Sequence, residues 1–277
     1  MSIVRKIYYS LNVKQRIIAR RLFFLPIDIV EKITGKRPPM VPPRGLIFTG
    51  SGDFVKQGDT FLNYFKKYGG LKPEHRVLDI GSGIGRMARP LVGYLNEKGT
   101  YEGFDVVRTG VEWCQNNITS ADTRFKFKHT PLKNDLYNLD TPRTASNFRF
   151  PYPDADFDFC FLTSVFTHML PEDTSNYLKE ISRTLKPGGI CFATFFVLDD
   201  ISTPAMKNNS FRFDYSFEGY ALMDEKVKEA NVAFEIDWLK KVFSESGLNL
   251  KSFYPGIWSS RKDNTLDFQD ILIFEKK

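Results

Sequence analysis

Disulfides, metal clusters and membrane spans all lack their raw material in this chain. Its three cysteines, Cys114, Cys160 and Cys191, are far apart and odd in number. No disulfide framework or zinc-ligand spacing is available, no metal site is read, and a reducing, cytoplasmic setting is expected. No apolar run approaches the roughly 18–20 residues that span a bilayer; near the start the longest is Leu22 to Ile27. Nor does this region read as a secretory signal, because Lys14, Arg16, Arg20 and Arg21 interrupt any apolar stretch. Internal repeats and low-complexity tracts are also missing. Acidic residues are scarce in one place only. From Met1 to Arg44 there are two, Asp28 and Glu31, against ten basic residues, net +8. The remainder holds 29 basic and 31 acidic residues, net −2, so the overall +6 belongs to an N-terminal arm.

What is present is enough for a folded enzyme-sized body. With 42% hydrophobic and 15% aromatic residues, the chain is too apolar for disorder and long enough for a sizeable core. One large domain with an appendage fits best: a basic amphipathic arm with a Pro-rich linker over residues 1–45, and a domain over 46–277. In the arm, Ile3, Ile7, Leu11, Ile18, Leu22 and Leu25 recur at helical spacing. Pro38, Pro39, Pro42 and Pro43 then forbid helix and favour an extended connection.

Beyond the linker, strands alternate with helices. Strands are expected at Val77–Ile80, Tyr101–Asp105, Phe125–His129, Phe157–Leu162, Ile190–Phe196, Leu248–Tyr254 and Thr265–Phe274. Helices are expected at Arg86–Leu95, Val111–Ile118, Asp173–Leu185 and Asn231–Ser246. Such alternation implies an α/β fold, a parallel sheet covered by helices on both faces.

The most informative segment is Val77-Leu-Asp-Ile-Gly-Ser-Gly-Ile-Gly-Arg86, a strand running through Gly81, Gly83 and Gly85 into a helix. Glycines let the chain turn tightly and let backbone approach a ligand closely. Asp105 lies twenty residues past Gly85 at the end of the next strand, where a carboxylate can accept from both hydroxyls of a ribose. A dinucleotide loop is G-x-G-x-x-G, whereas here the third glycine comes one residue early. Asp79, just before the loop, suits a cationic ligand bearing an amino group and a sulfonium better than a pyrophosphate.

With these residues the sequence resembles the class I S-adenosylmethionine-dependent methyltransferases, from roughly Leu71 onward. Further matching elements are Tyr101-Glu-Gly-Phe-Asp105, the run Phe150 to Val165 and Leu185-Lys-Pro-Gly-Gly189. The resemblance implies a Rossmann-like, doubly wound seven-stranded sheet, mostly parallel with an antiparallel last strand, plus the helical arm. It also implies S-adenosyl-L-methionine as cofactor and S-adenosyl-L-homocysteine as product. Gly81, Gly83 and Gly85 would approach the methionine part and the adenosine, with Asp79 near the amino group or pinning the loop. Asp105 would hold the ribose diol, and Phe104 and Val106 would flank the adenine or belong to the core. Leu132 stands where many members place an acidic residue against the adenine amino group; Pro131, Asn134 and Asp135 are alternatives. Thr163, at the fourth strand's end, completes the cofactor set.

The acceptor should approach the carboxyl ends of the strands, beside Thr163-Ser-Val-Phe-Thr-His168. The Asn/Asp-Pro-Pro-aromatic tetrad of amino-methylating nucleic-acid members is missing, and no DNA partner is expected. His168 is the candidate general base, or else a residue that packs the following helix. The insertion Leu198 to Ala230 is a candidate substrate lid, with Phe211, Phe213, Tyr215, Phe217 and Tyr220 either walling the acceptor pocket or packing as a satellite hairpin. Gly50 to Asp53 and Gln57 are expected to fold back over the cofactor. A small-molecule or lipid-linked methyl acceptor is the leading expectation. An RNA or protein methyltransferase and a non-catalytic cofactor-binding protein are alternatives. The arm would lie on an anionic membrane surface or fold back as a pocket cover. Oligomeric state is left open.

Overall fold

The computed structural model describes residues 13–50, 52–133, 141–207 and 209–277. Ile3, Ile7, Leu11, Asn134 and Asp135, each named above, and Ser51, within the range Gly50 to Asp53, lie outside the described residues. Helix α1 (Val13–Ile33) forms the arm, and α2 (Phe54–Lys67) leads into the sheet region. Next come β1 (Arg76–Ile80), α3 (Ala88–Val92), β2 (Thr100–Asp105), α4 (Arg108–Cys114), β3 (Phe125–His129), β4 (Phe157–Leu162), α5 (Pro171–Thr184) and β5 (Leu185–Phe195). The last part holds β6 (Val197–Leu198), α6 (Ser202–Met206), β7 (Tyr215–Phe217), β8 (Tyr220–Leu222), β9 (Val232–Glu235), α7 (Ile236–Glu245), β10 (Leu248–Tyr254) and β11 (Asp270–Lys276).

The seven-stranded sheet runs in the order β10-β11-β5-β4-β1-β2-β3. Strands β1 to β5 are mutually parallel, while β11 inserts antiparallel between β5 and β10. This is the Rossmann-like arrangement expected. Alternate residues feed two cores, one on each face. Val77, Phe159 and Phe161 face the α2 side, where Phe65 stacks on Phe161 at 4.4 Å between ring centroids. Leu78, Cys160 and Leu162 face the other, with Phe166 stacked on Phe195 at 4.6 Å. The chain reverses its direction of winding between β1 and β4, the place where open α/β sheets leave a crevice at their carboxyl ends.

Several expectations needed correction: the helix expected over Arg86–Leu95 forms over Ala88–Val92, and the strand expected from Ile190 starts at Leu185. The segment read as helix from Asn231 begins as strand β9, because Val232, Ala233 and Phe234 are all buried between β6 and β8. The last strand starts at Asp270 rather than Thr265. Asp270 ends the preceding loop: its carboxylate accepts hydrogen bonds from Gly256 and Val197 N–H and from Trp258 Nε1. The insertion's aromatics do not wall the crevice. Phe211 and Phe213 pack on Phe196 and Trp258 in a satellite core, Tyr220 packs on the main core, and Tyr215 and Phe217 are exposed on β7.

Candidate active site

A cavity of about 520 Å³ opens at the carboxyl ends of β1, β2 and β4. Asp79, Gly81, Gly83, Phe104, Asp105, Val106, Leu132, Thr163 and His168 all line it. Gly85 does not, which corrects its expected role. A Cβ there would meet Ile118 Cδ1 at 2.6 Å and Cys114 Sγ at 2.9 Å, so this glycine lets the loop pack on α4.

Gly81 and Gly83 have φ of +82° and +56°, which glycine adopts at little cost. Space matters as well. A Cβ on Gly81 would lie 2.5 Å from Val165 Cγ2, and one on Gly83 would lie 2.8 Å from Thr49 Cγ2. Gly81 and Ser82 N–H donate to the Phe104 carbonyl, tying the loop to β2. Asp105 completes the tie: one carboxylate oxygen accepts from Gly83 N–H and the other from Val107 N–H, both at 2.7 Å. Each oxygen still has acceptor capacity for a hydroxyl.

The two acids are electrostatically costly as they stand. Asp79 is 1% exposed and accepts from Tyr101 Oη at 2.5 Å, not from the loop, which corrects its reading as a loop pin. Burial pushes its carboxyl up to about 8, with the Asp105 charge adding to the rise. Burial raises Asp105 to about 6 against the backbone hydrogen bonds that favour its charged form. Opposite in charge stands Arg86, which the sequence pattern did not single out as a functional group. Its guanidinium donates to Gln57 Oε1 and the Thr49 carbonyl and lies over the Phe54 ring at 5.5 Å. Burial lowers it to about 10, and Nε has no hydrogen-bond partner among the described residues.

Thus Phe48, Thr49 and Gly50 before α2, and Gln57 in its first turn, stand in the wall of the site. Asp53 instead caps α2, accepting from Lys56 N–H at 2.7 Å. Across the cavity, His168 Nδ1 lies 3.0 Å from the Glu229 carbonyl oxygen. A carbonyl only accepts, so Nδ1 donates in this contact, and a backbone contact with Ala230 also favours a protonated ring. Burial holds this imidazole below the ordinary histidine value, hence neutral at pH 7. Ser164 sits beside it with φ +58°, an uncommon backbone state of the kind that gathers at functional sites. Its N–H donates to Thr194 Oγ1 and its hydroxyl to Gln269 Oε1. Glu229, Asp267 and Gln269 complete that side. Glu229 is the insertion's contribution to the described lining, in place of the aromatics expected there.

A family model described as a methyltransferase domain matches residues 78–193. Over those residues the chain carries a methyltransferase domain. It is 31% identical over 128 residues to the tRNA N(3)-cytidine methyltransferase METTL2 of Gallus gallus, covering 46% of this chain and 31% of that protein. It is 33% identical over 131 residues to an uncharacterised methyltransferase of Schizosaccharomyces pombe, covering 47% of this chain and 42% of that protein. The match therefore spans less than half the length of these curated relatives. Among solved structures, a protein from Pyrococcus horikoshii OT3 shares the fold, with a TM-score of 0.54 at 15% identity over 84% of this chain and 95% of that one.

The cofactor of such domains is S-adenosyl-L-methionine, which leaves as S-adenosyl-L-homocysteine. The residues of the methyltransferase cavity fit it. Two buried carboxylates match an ammonium and a diol, a guanidinium with an unused N–H matches a carboxylate, and the glycine loop leaves room that any side chain would fill. Among the described residues no helix is long and apolar enough to cross a membrane.

Proposed function

We propose that this protein is a methyltransferase acting on a small-molecule or lipid-linked acceptor. The observation that carries the reading is the pair Asp79 and Asp105, buried on adjacent strand ends beside the glycine loop with no basic side chain in ion-pair contact among the described residues. When bound, S-adenosyl-L-methionine supplies an electrophilic methyl group on a sulfonium. In the proposal Asp105 accepts from the ribose hydroxyls and Asp79 faces the amino group. Gly81 and Gly83 let the backbone approach, and Arg86 takes the carboxylate. Phe104, Val106 and Leu132 enclose the adenine, and Thr163 lies beside the transfer path. The His168 ring receives the proton that an oxygen or nitrogen acceptor gives up. Holding donor and acceptor in line accounts for most of the acceleration.

Calorimetry tests the cofactor half: micromolar binding of S-adenosyl-L-methionine, weakened at least ~tenfold by Asp105→Ala through loss of charge-assisted hydrogen bonds. No binding by the unmodified protein would refute it. Labelled cofactor with fractionated cell extract tests the acceptor half. An RNA acceptor is the second reading, favoured by the likeness to a tRNA methyltransferase. It predicts label in the RNA fraction and an association that weakens steeply with salt.

A further inference from the structure

Helix α1 is amphipathic with its polarity inverted. Its two acids point inward onto the linker. Asp28 accepts from Arg44 and Gly45 N–H at 2.7 and 3.0 Å and pairs with Arg37, while Glu31 pairs with Arg44 at 2.7 Å. Arg20, about two and three turns before them on the same side, donates to the Arg44 carbonyl and lies over Phe24. Gly45 comes so close that a Cβ would be 3.0 Å from Arg21 Cα. The polar face is thus the packed one.

The apolar face is left outside. Ile18, Leu22, Leu25, Ile29 and Ile33 form one stripe at helical spacing, with exposures from 46% to 80%, and Phe23 beside it is 75% exposed. An apolar surface of this extent marks an interaction site. Its charge identifies the partner. Both carboxylates of the helix are spent on the linker, while Arg21, Lys32 and Lys36 are exposed, with no ion-pair partner among the described residues. Arg21 and Lys32 also border a groove of about 290 Å³ whose apolar wall includes Leu25 and Ile29. An apolar stripe bordered by Arg21 and Lys32, with the neighbouring Asp28 taken up by Arg37 and the linker N–H groups, is complementary to an anionic lipid surface, with acyl chains against the stripe and headgroup phosphates against the rim.

We infer that α1 docks the protein, lying flat, on anionic phospholipid membranes. This stands apart from the methyl-transfer reading and would hold if that reading failed. The test is co-sedimentation of the full chain with vesicles of phosphatidylglycerol and phosphatidylcholine, and of phosphatidylcholine alone, at about 0.1 M salt. The expected result is binding to the anionic vesicles at least tenfold tighter than to the neutral ones. Arg21→Glu with Lys32→Glu weakens it at least about 25-fold, at about fivefold per basic side chain. Leu22→Asp with Phe23→Asp abolishes it. Both pairs alter exposed side chains, so the melting temperature and the Kd for S-adenosyl-L-methionine stay unchanged. Equal sedimentation on both vesicle types, none on either, or full retention by either double variant would overturn the inference. So would a dimer by light scattering that Leu22→Asp dissolves, which would make a second copy the occupant.

Discussion

The buried acid Asp79 makes cofactor binding depend on pH in a calculable way. Its carboxyl titrates near about 8 because burial opposes the charge and Asp105 repels it. At neutral pH the ligand-free protein therefore holds it mostly protonated. A cationic ligand favours the carboxylate, so binding expels a proton and tightens as pH rises. If only the charged form binds well, the apparent Kd is the intrinsic value divided by the charged fraction, about 1% at about pH 6 and about 10% at about pH 7. Affinity thus rises about tenfold across that unit and levels off as the pH nears 8, where the ligand's own α-amino group begins to lose its proton. Isothermal titration from pH 5.5 to 7.5, in two buffers of different ionisation heat, reads both the slope and the proton released. Asp79→Asn should bind weakly and keep only the shallower slope that Asp105 gives near about pH 6. Tyr101→Phe should move the rise to higher pH, because the Tyr101 hydroxyl is the donor that steadies the charge. A flat profile in the unmodified protein, with no proton released, would refute the assignment of Asp79 to a cationic group.

Other consequences are cheaper to test. A carboxyl whose folded pKa lies above its ordinary value leaves stability intact at low pH and removes it as pH rises through the folded pKa. For Asp79 the loss runs from about 4 to about 8, so Asp79→Asn should raise the melting temperature of ligand-free protein at about pH 8 by at least ~2 °C, and by less at about pH 5. Gly58→Ala in α2 should cost about 1–3 kcal/mol by thermal melting, because its Cβ would lie 2.5 Å from the Arg86 carbonyl oxygen. Gly93→Ala, with nothing within 4 Å, is the neutral control. His168→Gln should lower kcat by about 10²–10⁴-fold while leaving the cofactor Kd within about twofold. With its pKa depressed by burial, kcat of the unmodified enzyme at saturating cofactor should fall only as pH drops below about 6.5. A fall in melting temperature and cofactor affinity together, with kcat retained, would make His168 a packing residue.

The donor end of the site was legible because its physics is local. Strand, glycine loop, helix, strand and acid follow one another between Val77 and Asp105, and β3, β4 and β10 start and stop where the pattern placed them. Arg86 was not legible as a pocket cation, because what isolates it is Phe54, Gln57 and Thr49, about thirty residues upstream. Strand β9 was misread because Val232, Ala233 and Phe234 are buried on both faces, so the period-2 signal is absent and the run merges with the following helix. Which of its two readings the insertion's aromatics follow was open for a related reason. Alternation in Phe211 to Phe217 predicts an extended stretch with one aromatic face but not which body that face meets; Phe213 found Phe196 and Trp258. Amphipathicity of the arm was visible, whereas its inversion depends on Asp28 and Glu31 meeting a linker that lies up to seventeen residues away.

The same division explains why the family likeness speaks for the cofactor and stays silent on the acceptor. The matched stretch, 78–193, contains the glycine loop, Asp79, Asp105 and Leu132, which the proposal gives to the donor. Much of the rest of the wall comes from outside it: Phe48, Thr49 and Gln57 upstream, Glu229, Asp267 and Gln269 downstream. Those segments are held to the matched stretch by contacts of Arg86 with Thr49, His168 with the Glu229 carbonyl and Ser164 with Gln269. A relative aligned only through the sheet shares the part that fits every such cofactor and need not share the part that selects an acceptor. Exchanging the flanking segments between this chain and a tRNA-acting relative should therefore move acceptor choice while leaving cofactor affinity nearly unchanged. If acceptor choice instead followed residues 78–193, selection would lie at Thr163 to His168, and the flanks would serve only to exclude water.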